Sequence, residues 1–190
     1  RRTTHGERWS WREFALTAFH LPGQTEYHGG LLCEGRDRRL FFTGDSFTPA
    51  GIDDYCTGNR NWLGAGQGLD AAVALIADLA PDLLFNAHVD TAFRLSAEDC
   101  AFIRRNLAAR EVTFGALFPW DHPNYGLDPH WVRCQPYEQT AVPGATIRLT
   151  VVIRNHSAAA HTATVQPILP AEWDPTTTSR TAACPPGEDQ

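Results

Sequence analysis

Three apolar runs in this chain each end on a residue able to bind a metal or move a proton. Residues 40–46, LFFTGDS, put Asp45 behind a glycine, and residues 83–90, LLFNAHVD, put His88 at the end of another run. Residues 19–28, FHLPGQTEYH, pass through a Pro-Gly turn to Gln24 and His28. A carboxylate and an imidazole delivered at strand ends form a donor set that zinc accepts. Gln24 is the odd member, because a neutral amide oxygen is a poor zinc ligand and suits harder cations. Two roles stay open: Gln24 hydrogen-bonds a metal-bound water from behind the ligands, or His28 bends in as the ligand. Taken singly, each residue has a plainer reading. A histidine at a strand end is most often a structural hydrogen-bonding group, and an aspartate after glycine is most often a turn or cap residue. The order of the three runs raises the metal reading above these.

The elements that must hold these residues are legible from period and punctuation. Residues 11–23 read as a strand running into the Pro-Gly turn, and 29–44 as a hairpin with EGRDRR as its polar tip, where Arg36, Arg38 and Arg39 are solvated. The spacing predicts a helix over about 69–80, stopped by Pro81. A short buried strand follows, ending near His88. Ser96 with Asp99 three positions on forms a capping box and starts a helix over about 97–109. Residues 51–68 read as a long surface loop. His20 reads as a core residue or one behind the ligands, Asp53 and Asp54 as solvated, and Asp90 as solvated or orienting His88. His122, His130, His156 and His161 read as unrelated to metal.

Three prolines, a glycine and several turn formers crowd residues 117–130, which divides the chain into a first unit over 1–117, a linker over 118–130 and a second unit over 131–190. In the second unit residues 145–155 alternate as a half-buried strand, residues 161–170 are expected to pair with it, and the tail is expected to fray. The five cysteines are widely spaced, with no C-x-x-C pair, and read as thiols rather than a disulfide framework. Length, 190 residues, and 43% hydrophobic composition suit one core plus a smaller module. A net charge of -6 without a basic cluster argues against a nucleic-acid surface. No apolar run approaches the ~20 residues that span a bilayer. The absence of any methionine leaves the natural start, and hence the compartment, open between cytoplasmic and extracytoplasmic.

Over residues 12–110 the ordered set HLPGQTEYH, LFFTGDSF and LLFNAHVD resembles the second half of the metallo-β-lactamase-fold hydrolases. The resemblance implies an α/β fold of αββα type, here its second half only, and a hydrolase in which one or two Zn2+ ions, or Fe or Mn, activate water. It implies that Asp45 is catalytic, bridging the metals and orienting the hydroxide, and that His88 is a metal ligand. The loop departs from the family at Gln24, where the family has histidine, with His28 as the substitute. The family's His-x-His-x-Asp-His motif is not in this sequence, so the reading is of a fragment, inactive by itself. The implied substrate is a small molecule of ester or amide type, selected by residues 46–68 and by an aromatic rim of Tyr55, Trp62, Trp120 and Tyr125. The stretch VRCQPYEQTAVPGATIRLTVVIRNHS resembles the Ig-like modules appended to bacterial surface enzymes, so the second unit is expected to be a partial all-β Ig-like module. A half-fold would expose a sheet face, which points to a homo-oligomer. The competing class is a degenerate, non-catalytic scaffold that binds through its Ig-like module. A third option, a flavodiiron-like redox relative, would need a flavin-binding partner domain that the β-type tail argues against.

Overall fold

Alternating apolar residues between positions 8 and 44 build a meander of four antiparallel strands. The structure, a computed structural model, describes residues 2–52, 62–173 and 179–190. It divides into two units, Arg1–Pro119 and Trp120–Gln190. In the first, β1 (Arg8–Trp11), β2 (Phe14–His20), β3 (Gly29–Gly35) and β4 (Arg38–Gly44) pair in sequence order. The β3–β4 turn has both central residues, Arg36 and Asp37, at positive φ (50° and 57°), the backbone of a hairpin turn whose twist matches the strands. Arg36 pairs with Glu13 at 2.9 Å beside this turn. After β4 come the two-residue strands β5 (Phe47–Thr48) and β6 (Gly51–Ile52), which pair with each other. Next are α1 (Gly68–Leu79), β7 (Leu83–Asn86) and α2 (Ala97–Leu117). β7 joins the sheet parallel to β4, and α1 is the helix within the connection that a parallel pair needs.

Leu69, Ala72, Val73 and Ile76, spaced as one helical stripe, are the buried apolar face of α1. They meet Leu21, Leu32, Phe41 and Leu84 of the sheet layer and Cys100, Ile103 and Leu107 of α2 in one core. Arg104 of α2 grips Asp70 of α1 through two hydrogen bonds, at 2.7 and 3.1 Å. The capping box at α2 is present in both directions, Ser96 Oγ accepting from the Asp99 N–H and Asp99 accepting from the Ser96 N–H. α2 runs eight residues past the expected end, stopping where Phe118 turns extended before Pro119. The opposite face of the sheet is apolar too. Leu16, Cys33, Leu40 and Leu83 form one cross-strand row, and Ala18, Leu31, Phe42 and Phe85 the next. None of the eight belongs to the core cluster, and Phe42 is 41% exposed.

The expected α/β class, an αββα fold represented by its second half, is corrected by the structure. Among the described residues the chain is mostly β, with 31% in strands, 21% in helices and three helices in all. The physical reason lies in the connections. Among neighbouring strands of the main sheet only β4 and β7 are joined through a helix, the other neighbours being antiparallel, and further β ladders make up most of the regular structure described in the second unit.

In the second unit α3 (Asn124–Leu127) falls inside the stretch expected to be irregular linker. β8 (Val132–Gln135) pairs with β9 (Thr150–Ile153), and β10 (His161–Val165) with β11 (Arg180–Cys184), all antiparallel. Residues 161–165 therefore pair with the tail and not with β9. In the tail, Arg180–Cys184 form β11, and Gln190 closes two backbone bonds with Ile153. The centre of this unit is polar. The Asn155 side chain, 1% exposed, donates to the carbonyls of Ala159 and Cys184 and accepts from Tyr125 Oη and the Ser157 N–H. Its carboxamide is thus fully satisfied, as a buried amide must be.

Candidate functional site

The site is built where β4, β7 and the β2–β3 loop end together. β4 closes on Gly44 at φ +57°, with a register shift against β7 between Phe42 and Gly44. A side chain at Gly44 would overlap the imidazole of His28, so glycine is what lets His28 lie against the strand end. The loop carrying His28 is closed at its base by the Leu21 N–H donating to the His28 carbonyl at 2.9 Å. Gly23 in the same loop has no room for a side chain beside Ser46, whose Oγ accepts from the Gln24 N–H at 3.1 Å. The backbone of Gln24 is therefore tied to the residue next to Asp45.

Asp45 and His88 meet across this strand end, with His88 Nε2 3.2 Å from Asp45 Oδ1. The His88 side chain is 73% exposed and that of Asp45 27%, so solvent reaches the imidazole and screens the pair. Three hydrogen bonds set the approach of the segments. The Ala87 N–H donates to the Gly44 carbonyl at 3.0 Å. Asn86, buried, donates from Nδ2 to the Phe47 carbonyl at 2.9 Å and accepts at Oδ1 from the His88 N–H at 2.7 Å. Asn86 and Ser46 went unflagged in the sequence, although a polar residue inside LLFNAH is itself a signal, since a buried amide must find partners.

A structural zinc takes four protein ligands and a catalytic one usually three. Among the described residues no three His, Cys, Asp or Glu side chains are grouped so as to hold a metal. Asp45 and His88 fit a cation in donor chemistry but fall short of the number it needs. Asp90 accepts from the Thr91 hydroxyl, while the imidazole of His88 faces Asp45. His20 is exposed at the end of β2, its Nε2–H donating to the Glu26 carbonyl. Tyr55, Asp53 and Asp54 lie outside the described residues.

Of the proposed aromatic rim, Trp62 belongs to the first unit, where its carbonyl packs against Gly68 at the start of α1. Trp120 and Tyr125 belong to the second. Tyr125 is committed to that unit's interior, bonded to Asn155 and edge-on to Trp131 at 5.2 Å and to His156 at 5.5 Å. His156 Nε2–H donates to buried Asp128 at 2.8 Å. Burial pushes the Asp128 carboxyl up, but the His156 bond and the His130 backbone N–H outweigh it and leave it below the usual carboxylate range. Asp121 takes the Ser157 hydroxyl at 2.6 Å and His161 at 3.2 Å, and both bonds depress its carboxyl. Because that carboxylate is held ionised as an acceptor, it is a poor proton acceptor for the Ser157 hydroxyl. The arrangement reads as a local brace.

Cys33, Cys100, Cys134 and Cys184 are free thiols, and Cys56 lies outside the described residues. Burial pushes the Cys100 thiol up, which keeps it protonated and inert. No described helix is long and apolar enough to cross a membrane. No protein-family model matches this chain, and no curated protein matches it significantly.

Proposed function

We propose that this chain contributes Asp45 and His88 to a metal-dependent hydrolytic site of the metallo-β-lactamase superfamily kind, acting on a small ester or amide substrate. The observation that carries the reading is the 3.2 Å approach of His88 Nε2 to Asp45 Oδ1 at two adjoining strand ends. The imidazole of His28 lies against Gly44 at the same strand end, although it does not join Asp45 and His88 in a three-donor group. Mixed carboxylate and imidazole donors suit Zn2+, with Fe or Mn as the alternatives. A cation here needs donors beyond these two, and Gln24 supplies at most a hydrogen bond to a water on it. The two apolar rows on the open sheet face support self-association as the partner interaction.

The competing reading is a non-catalytic scaffold that has kept the strand ends and lost the ligand set. Gln24 in the ligand position and the absence of a three-donor group among the described residues favour it. Calorimetric titration with Zn2+ of the wild type, Asp45→Ala and His88→Ala separates the two. Uptake by the wild type that both variants lose supports the metal site. Equal, negligible uptake by all three proteins overturns it and leaves the scaffold.

A further inference from the structure

The side chain of Asn86 is placed to hold two segments at once. Its Nδ2 donates to the carbonyl of Phe47, two residues beyond Asp45, at 2.9 Å. Its Oδ1 accepts from the backbone N–H of His88, two residues beyond itself, at 2.7 Å. The orientation of the amide is dictated by its partners, since a carbonyl can only accept and an N–H can only donate. Asn86 is 7% exposed, so water does not readily replace either bond, and each unmade bond would leave a buried polar group. Asp has no donor for Phe47, Ser cannot span both partners, and Leu does neither.

We propose that Asn86 is the positioning residue of the site, fastening the Asp45–Phe47 segment to the Ala87–His88 segment and thereby setting the contact between the Asp45 carboxylate and the His88 imidazole. The inference rests on the reading of Asp45 and His88 as metal donors, and extends it to the group that keeps them together. The Ala87 N–H bond to the Gly44 carbonyl aligns the same two segments through backbone alone. Asn86 adds the only link among these that depends on a side chain, and hence the one a substitution can cut.

The test uses Asn86→Leu, Asn86→Ser and a control, Thr43→Val. Thr43 is buried, and its hydroxyl donates to the Phe85 carbonyl across the same pair of strands; its bond to the Asp45–Phe47 segment, the Ser46 N–H on its carbonyl, is backbone alone and is kept in the variant. Amide hydrogen exchange of His88, read by NMR without metal, is expected to quicken about tenfold or more in Asn86→Leu. Asn86→Ser keeps a hydroxyl that can accept from the N–H two residues on, so protection of that amide is retained in part. Zn2+ affinity is expected to fall about 10- to 100-fold in Asn86→Leu, the range for groups that orient ligands, and by less in Asn86→Ser. Thr43→Val is expected to lower the thermal midpoint and change neither readout. Wild-type exchange and affinity in Asn86→Leu would overturn the proposal, as would an equal loss of affinity in Thr43→Val at a matched thermal midpoint. If the wild-type protein takes up no Zn2+, the metal reading fails by itself, and the His88 exchange rates still decide whether Asn86 holds the two segments.

Discussion

The imidazole of His28 occupies the space that a side chain on Gly44 would need. Gly44 also has φ +57°, a backbone conformation that costs an L-residue roughly 1–2 kcal/mol. Gly44→Ala therefore meets two penalties, and either way of relieving them moves a candidate donor: His28 swings out, or the backbone carrying Asp45 shifts. The expected outcome is a loss of about 2–3 kcal/mol in urea unfolding, together with loss of any Zn2+ uptake. A Gly44→Ala protein with wild-type stability would show that the close approach of His28 is not part of the folded state.

Gly23 and Ser46 make a second close contact, this time at a backbone outside the left-handed region, since a Cβ on Gly23 would overlap the Ser46 Cβ and Oγ. Gly23→Ala alone is expected to cost about 1–3 kcal/mol through overpacking. Removing the obstacle should restore most of it, so Gly23→Ala with Ser46→Gly is expected to be more stable than the sum of the two single changes. The coupling from a double-mutant cycle measures this. Additive effects would place the two residues apart.

What was legible in the sequence was local. The β3–β4 hairpin, the start of α1 and the Ser96–Asp99 cap each depend on residues within a few positions of one another, and each lies close to where period and capping chemistry place it. The positions of Asp45 and His88 just beyond strand ends were legible for the same reason, because a polar residue closing an apolar run marks a strand end. What depended on distant partners was not legible. The tail was expected to fray, but residues 180–184 pair with β10, which had been expected to pair with β9. Asn155 gathers partners from Tyr125 to Cys184, and nothing in its neighbourhood announces that it is the centre of a polar interior. The fold class failed at the same level. Each strand and helix has a local signature, but whether neighbours are joined by hairpins or by helical crossovers decides the class, and antiparallel pairing prevailed.

The apolar row of Ala18, Leu31, Phe42 and Phe85 runs across four strands on the face away from α1 and α2. Phe42 and Phe85 stack at 5.1 Å. If this face self-associates, Phe42→Glu should place a charge in the contact and shift the protein to monomer, with little effect on the core, to which Phe42 does not belong. Sedimentation velocity at tens of micromolar is the measurement, on the scale of weak apolar interfaces. A wild-type protein that is already monomeric at that concentration excludes the contact.

The Asp70–Arg104 pair contributes to the pH dependence of the first unit, alongside the Asp99 carboxyl that Ser96 holds low. The Arg104 hydrogen bonds hold the Asp70 carboxyl below the usual carboxylate range, against the opposing push of burial. A carboxyl depressed in the folded state contributes stability that is present above its unfolded value, about 4, and is lost as pH falls through the lower folded value. Arg104→Met keeps much of the side-chain stem on α2 and removes the partner. Because the Arg104 side chain is half exposed, at 49%, the loss at pH 7 is expected to be modest, about 1 kcal/mol. The gap between wild type and variant should narrow as pH falls below the unfolded carboxyl value of about 4 and Asp70 takes up its proton. Urea unfolding followed across that range reads the difference directly. A gap that stays constant down to pH 2 would mean that Arg104 stabilises α2 by packing its stem, with the ion pair contributing nothing.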